Sequence, residues 1–331
     1  MKKILRILLP ILLGGAILWW MYRGFQWEQV VSALTSDMRW GWMLLSMPFG
    51  ILAQVFRGLR WRQMLEPMGE RPRRISCVNA IFLSYGSSLV VPRVGELLRC
   101  GYLSRYEGTR MSRALGTVVT ERVVDVLLIL LLTLVTVLWQ VPVFVRFMSR
   151  TGMSVESILS GFSLTGYLVT ALCALVVIVM VWYFLRRFHA FDRGRETLRG
   201  LVDGLMSIRD VRNKWLFWAY SLGIWVSYFL HFYLTFYCFS YTEHLGPMAA
   251  LVAFVVGTFA VIVPTPNGAG PWHFAVKTVL MLYGVDGNDG AMFVLIVHTL
   301  QTALVALLGI WAAVWAIGSD KNEPRLESYR T

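Results

Sequence analysis

Charge is scarce in this chain. Of 331 residues, 15% are Asp, Glu, Lys or Arg and 57% are hydrophobic, with a mean hydropathy of +0.60. A soluble protein of this length needs far more charged surface, so a soluble globular fold is excluded. Cysteine is scarce as well. Cys77, Cys100, Cys173 and Cys238 form no CxxC pair, and three of them lie in or beside apolar runs, which excludes a disulfide framework and a cysteine metal site. The five histidines are scattered without ligand spacing. No P-loop, HExxH or Ser/His/Asp pattern is present, and no stretch between apolar runs exceeds about 30 residues, well short of an ordinary domain. No catalytic residue, metal or cofactor is therefore expected, and the chemistry on offer is binding and passage. Nucleic acid is excluded as a partner, because no soluble basic domain exists to carry it.

What the sequence does have is long, continuous apolar runs. Crossing a hydrocarbon core of roughly 30 Å takes about 20 helical residues, and several runs reach that length without the alternation of a β-barrel. The reading is an all-α polytopic membrane protein forming a single domain over 1–331. It has about six spanning helices, near 1–22, 40–56, 114–139, 161–185, 215–240 and 291–317. Net charge is +12, and the basic residues gather in a few loops. These are 57–74, with six arginines and an expected interfacial helix around Trp61, Met64 and Leu65, and 186–214, with eight Lys/Arg and an expected amphipathic helix at 197–208. Cytoplasmic loops collect Lys and Arg, so both loops and both termini are expected inside, with an outer loop at 140–160. The clusters also suit anionic lipid head groups.

Two apolar segments are broken by Pro and Gly. Residues 76–106 turn near Pro92–Gly95 between basic flanks, and 247–283 turn near Pro264–Gly270 between flanks poor in Lys and Arg. Each is expected to enter and leave on one side, as re-entrant hairpins from opposite faces. Irregular backbone at membrane depth is tolerated only where protein or a water-filled cavity surrounds it. Broken segments in corresponding halves are the pattern of an inverted repeat and point to a binding site.

The candidate site residues follow from these breaks. Arg93, Glu96 and Arg99 come just after the first turn. Glu121, Arg122 and Asp125 lie on the next helix, where Glu121 and Asp125 share a face. Charges at membrane depth have a partner or a task. One reading is structural, with Arg122 paired to Asp125 and Glu121 paired to a hairpin arginine such as Arg93 or Arg99. The other is a polar cavity wall that meets a lipid head group, because guanidinium groups suit phosphate. In the second hairpin, Asn267, Gly268 and Gly270 precede a helix expected to start at Pro271 or Trp272. Its N–H groups suit an anion, and His273 and Lys277 lie four apart on it.

The stretches VVPRVGELLR, SRALGTVVTERVVDVL and VPTPNGAG, in that order and spacing, resemble the flippase-like transmembrane region of lysylphosphatidylglycerol synthases and its stand-alone homologues. The family's Pro-x-x-Gly-Glu hairpin falls on Pro92, Gly95 and Glu96. Its Glu-Arg-x-x-Asp helix falls on Glu121, Arg122 and Asp125, and its Pro/Gly-rich second hairpin on Pro264 to Gly270. The resemblance implies movement of a lipid or lipid-linked molecule between leaflets of the inner membrane. Without the synthases' soluble aminoacyl-transferase domain, the chain is expected not to make an aminoacylated lipid itself. The expected partners are membrane lipids with anionic head groups, and a lipid-modifying enzyme or glycosyltransferase. A membrane enzyme or an accessory subunit acting on a lipid-linked substrate is the alternative.

Overall fold

The computed structural model describes residues 12, 14–24, 27–91, 94–151, 210–263 and 265–320. Pro92, Arg93 and Pro264 lie outside them. So do the expected fourth span at 161–185, the amphipathic helix at 197–208 and the basic loop up to residue 209. Among the described residues all regular structure is helical. A first helix α1 (14–22) leads to α2 (Trp27–Ser32) and a π-turn, Ala33–Asp37. Then follow α3 (Trp40–Leu65), α4 (Arg74–Ser88), α5 (Gly95–Glu107) and α6 (Met111–Thr151). The second part holds α7 (Lys214–Tyr233), the short α8 (Ser240–Glu243), α9 (Pro247–Ala260), α10 (Pro271–Leu282) and α11 (Gly287–Asp320).

Local chemistry sets many of these ends. The Asn213 side chain accepts the Leu216 N–H at 3.0 Å and caps α7. Pro247 and Pro271 open α9 and α10 at positions where a missing N–H costs nothing. Gly108, with φ 68°, ends α5.

Three described segments are long and apolar enough to cross a membrane: Trp40–Met68, Met111–Gln140 and Gly287–Gly318. Only 22% of the most apolar stretch of α6 is buried inside the protein. Leu127, Leu130, Leu131, Leu134 and Leu138 of that helix are exposed, as are Leu307, Ile310, Trp311 and Val314 of α11. Apolar faces left unburied to this extent are faces for lipid.

The sequence boundaries shift in two places. The second span was expected to stop at Phe56, before the arginines. Instead α3 continues unbroken to Leu65, and Trp61, Met64 and Leu65 are fully buried in the core rather than laid on an interface. Their spacing continues the buried stripe of α3 from Met43, Ser46, Gly50 and Gln54, so packing overrides the charge signal. Likewise, the expected outer loop at 140–160 begins as helix, since α6 runs to Thr151.

Each broken segment is a pair of short helices packed on one another, α4 on α5 and α9 on α10. At 1.5 Å per residue the longest of the four, the 15-residue α4, extends about 22 Å. The first pair lies between α3 and α6, and the second between α7 and α11. Crosswise, α3 packs on α7, α4 on α11 and α6 on α9. One core gathers under the first pair around Trp61, Ile81, Leu103 and Phe217. The other gathers under the second around Phe232, Phe236, Val276 and Phe293. Gly86 and Gly309 let α4 and α11 touch between them, a Cβ on either lying 2.7 Å from the other's Cα.

Candidate functional site

The first hairpin is closed at both ends. At its tip, a Cβ on Gly95 would lie 2.0 Å from the Ser84 carbonyl oxygen, so the turn demands glycine there. At its base, the Glu107 carboxylate accepts the Arg73 backbone N–H at 3.1 Å and Arg73 Nε at 2.7 Å. This closure delivers Arg99 of α5 to Glu121 of α6, Nη1 to Oε2, at 2.8 Å.

Glu121 is the centre of a buried charge cluster. Its other oxygen accepts Arg57 Nη1 at 2.5 Å and lies 3.5 Å from Arg60 Nη2. One turn along α6, Asp125 accepts Arg57 Nη1 at 2.8 Å and Arg60 Nη2 at 2.7 Å. Glu121 and Arg60 are wholly buried, Arg99 is 1% exposed and Arg57 3%. Aromatic rings and hydroxyls line the cluster. The Arg57 guanidinium lies 5.9 Å from the ring centroids of both Tyr85 and Tyr228, whose hydroxyls are 3.0 Å apart. The Arg99 guanidinium lies 4.7 Å over Trp61, and Trp61 Nε1 donates to Thr117. Arg60 Nη1 donates to Ser221. Guanidinium groups over aromatic faces keep an attraction that survives desolvation.

At the rim, Arg122 Nε meets Glu96 Oε1 at 2.8 Å, with both side chains nearly half exposed. Arg122 reaches Asp125 only at 3.9 Å. The structure thus brings Glu96, Arg99, Glu121, Arg122 and Asp125 together. It adds Arg57 and Arg60, which the sequence reading assigned to a cytoplasmic loop. The signal that could have found them is their place on the continued buried stripe of α3; Arg62, off that stripe, pairs with Glu66 near the surface instead.

Asn267, Gly268, Gly270 and His273 gather elsewhere. Asn267 sits at φ 50°, and Gly268 and Gly270 at φ 72° and 90°, a left-handed turn between α9 and α10. Asn267 Nδ2 donates to Thr302 Oγ1 at 2.6 Å, and the Asn267 carbonyl bonds His298 Nε2 at 3.1 Å. His273 is buried, its ring centroid 4.4 Å from that of His298. Just before the helix start whose N–H groups were expected to suit an anion, the Gly270 N–H faces His273 Nδ1 at 3.4 Å, and a Cβ on Gly270 would lie 2.8 Å from the Gly14 carbonyl oxygen of α1. The start of α10 is therefore covered by protein. Lys277 runs away from this cluster, its stem beside Gly287 and Gly290 at the start of α11.

The two clusters share the α3–α7 pair. His231 of α7 bonds the Ser46 carbonyl through Nδ1 at 2.8 Å, and Gln301 of α11 donates to the His231 carbonyl. Ser46 and Arg57 are 11 residues apart on α3, about 16 Å along its axis. Among the described residues no group of His, Cys, Asp and Glu is arranged to hold a metal ion.

Comparison with known proteins agrees with this architecture. The model of the lysylphosphatidylglycerol synthase transmembrane region matches residues 7–309. No curated protein and no solved structure matches the chain. With nearly its whole length matched, and with its apolar helices and paired broken segments, the chain belongs to the family of the lysylphosphatidylglycerol synthase transmembrane region, membrane proteins linked to phospholipid handling.

Proposed function

We propose that the protein moves a lipid, or a lipid-linked molecule, between the leaflets of the bacterial or archaeal inner membrane. The observation that carries this reading is the buried cluster of Arg57, Arg60 and Arg99 with Glu121 and Asp125, held where the first hairpin meets α3 and α6. Burying charge in an apolar protein is costly, and apolar residues would pack such a contact at least as stably. A lipid head group crossing the bilayer needs a polar path of this kind.

In this reading the chain crosses six times with both termini in the cytoplasm. The hairpins α4–α5 and α9–α10 enter from opposite faces as parts of an inverted repeat. The element order supports the repeat, since long helix, short pair and long helix occur twice. The crosswise contacts of α4 with α11 and of α6 with α9 suit a two-fold arrangement. Anionic head groups are the expected cargo, and a lipid-modifying enzyme or glycosyltransferase the expected user of the delivered lipid.

A binding role is favoured over a general-base role for the carboxylates. Each is held by at least two guanidinium groups, and all four of their oxygens already accept from arginines, which leaves none free to face a substrate proton. The test is lipid movement in vesicles that contain the pure protein, comparing labelled anionic, zwitterionic and cationic lipids. Wild type is expected to move an anionic lipid, and Glu121→Gln and Arg122→Gln to slow it at least about tenfold, the scale of one lost charged interaction. Equal rates for folded, inserted variants and wild type would overturn the reading.

A further inference from the structure

Three of the five histidines lie around the second hairpin, His231 on α7, His273 on α10 and His298 on α11. Their partners fix where each ring carries its hydrogen. His298 Nε2 faces the Asn267 carbonyl at 3.1 Å, and a carbonyl only accepts, so the hydrogen is on Nε2 and Nδ1 is bare. His273 Nδ1 faces the Gly270 N–H at 3.4 Å and is the bare nitrogen of that ring. His231 Nδ1 donates to the Ser46 carbonyl, which leaves Nε2 bare.

The three bare nitrogens differ in what an added proton meets. On His273 Nδ1 it would point at the Gly270 N–H, donor against donor. His231 Nε2 is packed against Gly50, where a Cβ would lie 2.8 Å from it. His298 Nδ1 faces Thr302 Oγ1 at 3.4 Å. A hydroxyl donates or accepts. Thr302 Oγ1 already accepts Asn267 Nδ2 at 2.6 Å, and its second lone pair can take an N–H from His298. His298 is also only partly buried, whereas His273 is 3% exposed. With ring centroids 4.4 Å apart, the two imidazoles hold one positive charge between them at most. The titratable groups packed around the pair are few. Tyr22 of α1 lies 6.2 Å from His273 by ring centroid and donates its hydroxyl to the Ala291 carbonyl. His231 of α7 is tied to α11 through Gln301. Lys277 of α10 points to the start of α11, and Tyr85 of α4 and Tyr228 of α7 bond each other at the charged cluster. The helix α9 carries no titratable side chain. Among the described residues neither ring bonds a carboxylate, a lysine or an arginine.

We infer that His298 is a proton-binding site and that its proton is the ion that drives lipid movement. The proton passes from water to His298 Nδ1, which becomes an N–H donor to Thr302, while Nε2–H keeps the Asn267 carbonyl. Both bonds are then charge-assisted and latch the turn of the second hairpin to α11. Return of the proton to water leaves neutral bonds and loosens the turn. A bonded link joins this site to the charged cluster. Gln301 donates to the His231 carbonyl, and His231 bonds Ser46 on α3, the helix that carries Arg57 and Arg60. The use of the proton rests on the transport reading, whereas the site itself is tested without lipid movement.

The experiment has two arms, both on the purified full chain. In the first, nitrogen NMR of histidine-labelled protein follows the rings from about pH 8 to about pH 4, with His298→Gln assigning the signal. His298 is expected to start as the Nε2–H tautomer and take up one proton, while His273 stays neutral. Thr302→Val removes the hydroxyl but keeps the shape, and is expected to weaken that uptake at least about tenfold, the scale of one charge-assisted hydrogen bond. In the second arm, vesicles hold a labelled lipid that wild type moves. A gradient of about one pH unit is expected to skew that lipid between leaflets by up to about tenfold, the ratio that one proton per lipid sustains. Glutamine at 298 keeps a donor for the Asn267 carbonyl but has no basic nitrogen, and His298→Gln is expected to leave the distribution even. A His298 that keeps one neutral tautomer throughout, or a wild-type skew in folded His298→Gln protein, would overturn the inference. Proton uptake at His298 in a protein that moves no lipid keeps the site and removes the transport reading. Movement with an even distribution under the gradient keeps the transport reading and overturns the inference.

Discussion

The two hairpins solve one packing problem with different chemistry. Both are pairs of helices too short to span, each packed between longer helices. The second is held by neutral groups. Asn267, Thr302 and His298 form a local hydrogen-bonded set, and Trp272 lies between Phe232 and His298 at ring distances of 6.0 and 5.1 Å. The first is held by buried ion pairs through Arg99 and Glu121. Since hydrogen bonds and aromatic packing suffice for one hairpin, closing a hairpin does not require buried charge. The charge at the first hairpin therefore calls for a reason other than folding, which is what supports a binding role for that end of the α3–α7 pair.

The comparison can be broken most forcefully at Glu121. Glu121→Leu would strand Arg99 and part of the pairing of Arg57, and is expected to destabilise the protein by about 3–5 kcal/mol, against about 1–2 kcal/mol for Thr302→Val in the neutral cluster. Thermal unfolding in detergent measures both, and similar losses would show that the two ends do not differ as described. The close-packed glycines differ next. Gly95→Ala sets a methyl against a backbone carbonyl, which cannot yield, and should cost about 3 kcal/mol or more. Gly257→Ala in α9 meets Trp272 Nε1 at 2.8 Å and Val276, side chains that can shift, and should cost about 1 kcal/mol. The fraction of monodisperse protein after purification reports the order of the two.

Asn267→Ala sharpens the neutral side. It removes the bond to Thr302 and places a β-carbon-only residue at φ 50°, for an expected loss of about 1–2 kcal/mol with little effect on lipid binding at the charged cluster. The smallest effect is expected at the rim. Glu96→Gln breaks a half-exposed pair and should change stability by less than about 1 kcal/mol. A large effect on lipid movement beside that small effect on stability would mark the pair as a gate; a stability loss as large as that of Glu121→Leu would mark it as part of the frame.

Much of this was legible in the residues. Glu121 and Asp125, four apart in an apolar run, had to share a face, and the second hairpin helix starts at Pro271, one of the two positions expected. Arg57 and Arg60 were misread for a physical reason. In a membrane protein, arginines at the end of an apolar run usually mark the water boundary, and a sequence does not say which of them turn inward. The N-terminus of α10 was read as exposed because the approach of Gly14 to Gly270 joins distant parts of the chain.

By itself, then, the sequence determined that this is a helical membrane protein, where its helices break, and which charges lie inside an apolar helix. These follow from local quantities: hydropathy over about 20 residues, the backbone demands of Pro and Gly, and a 3.6-residue period. Only the tertiary structure decided the partners. Glu121 meets Arg57 across 64 positions of chain and Arg99 across 22, and Asp125 meets Arg60 across 65. Ion pairing depends on the distance between side chains in space, and that distance is set by how α3, α5 and α6 pack.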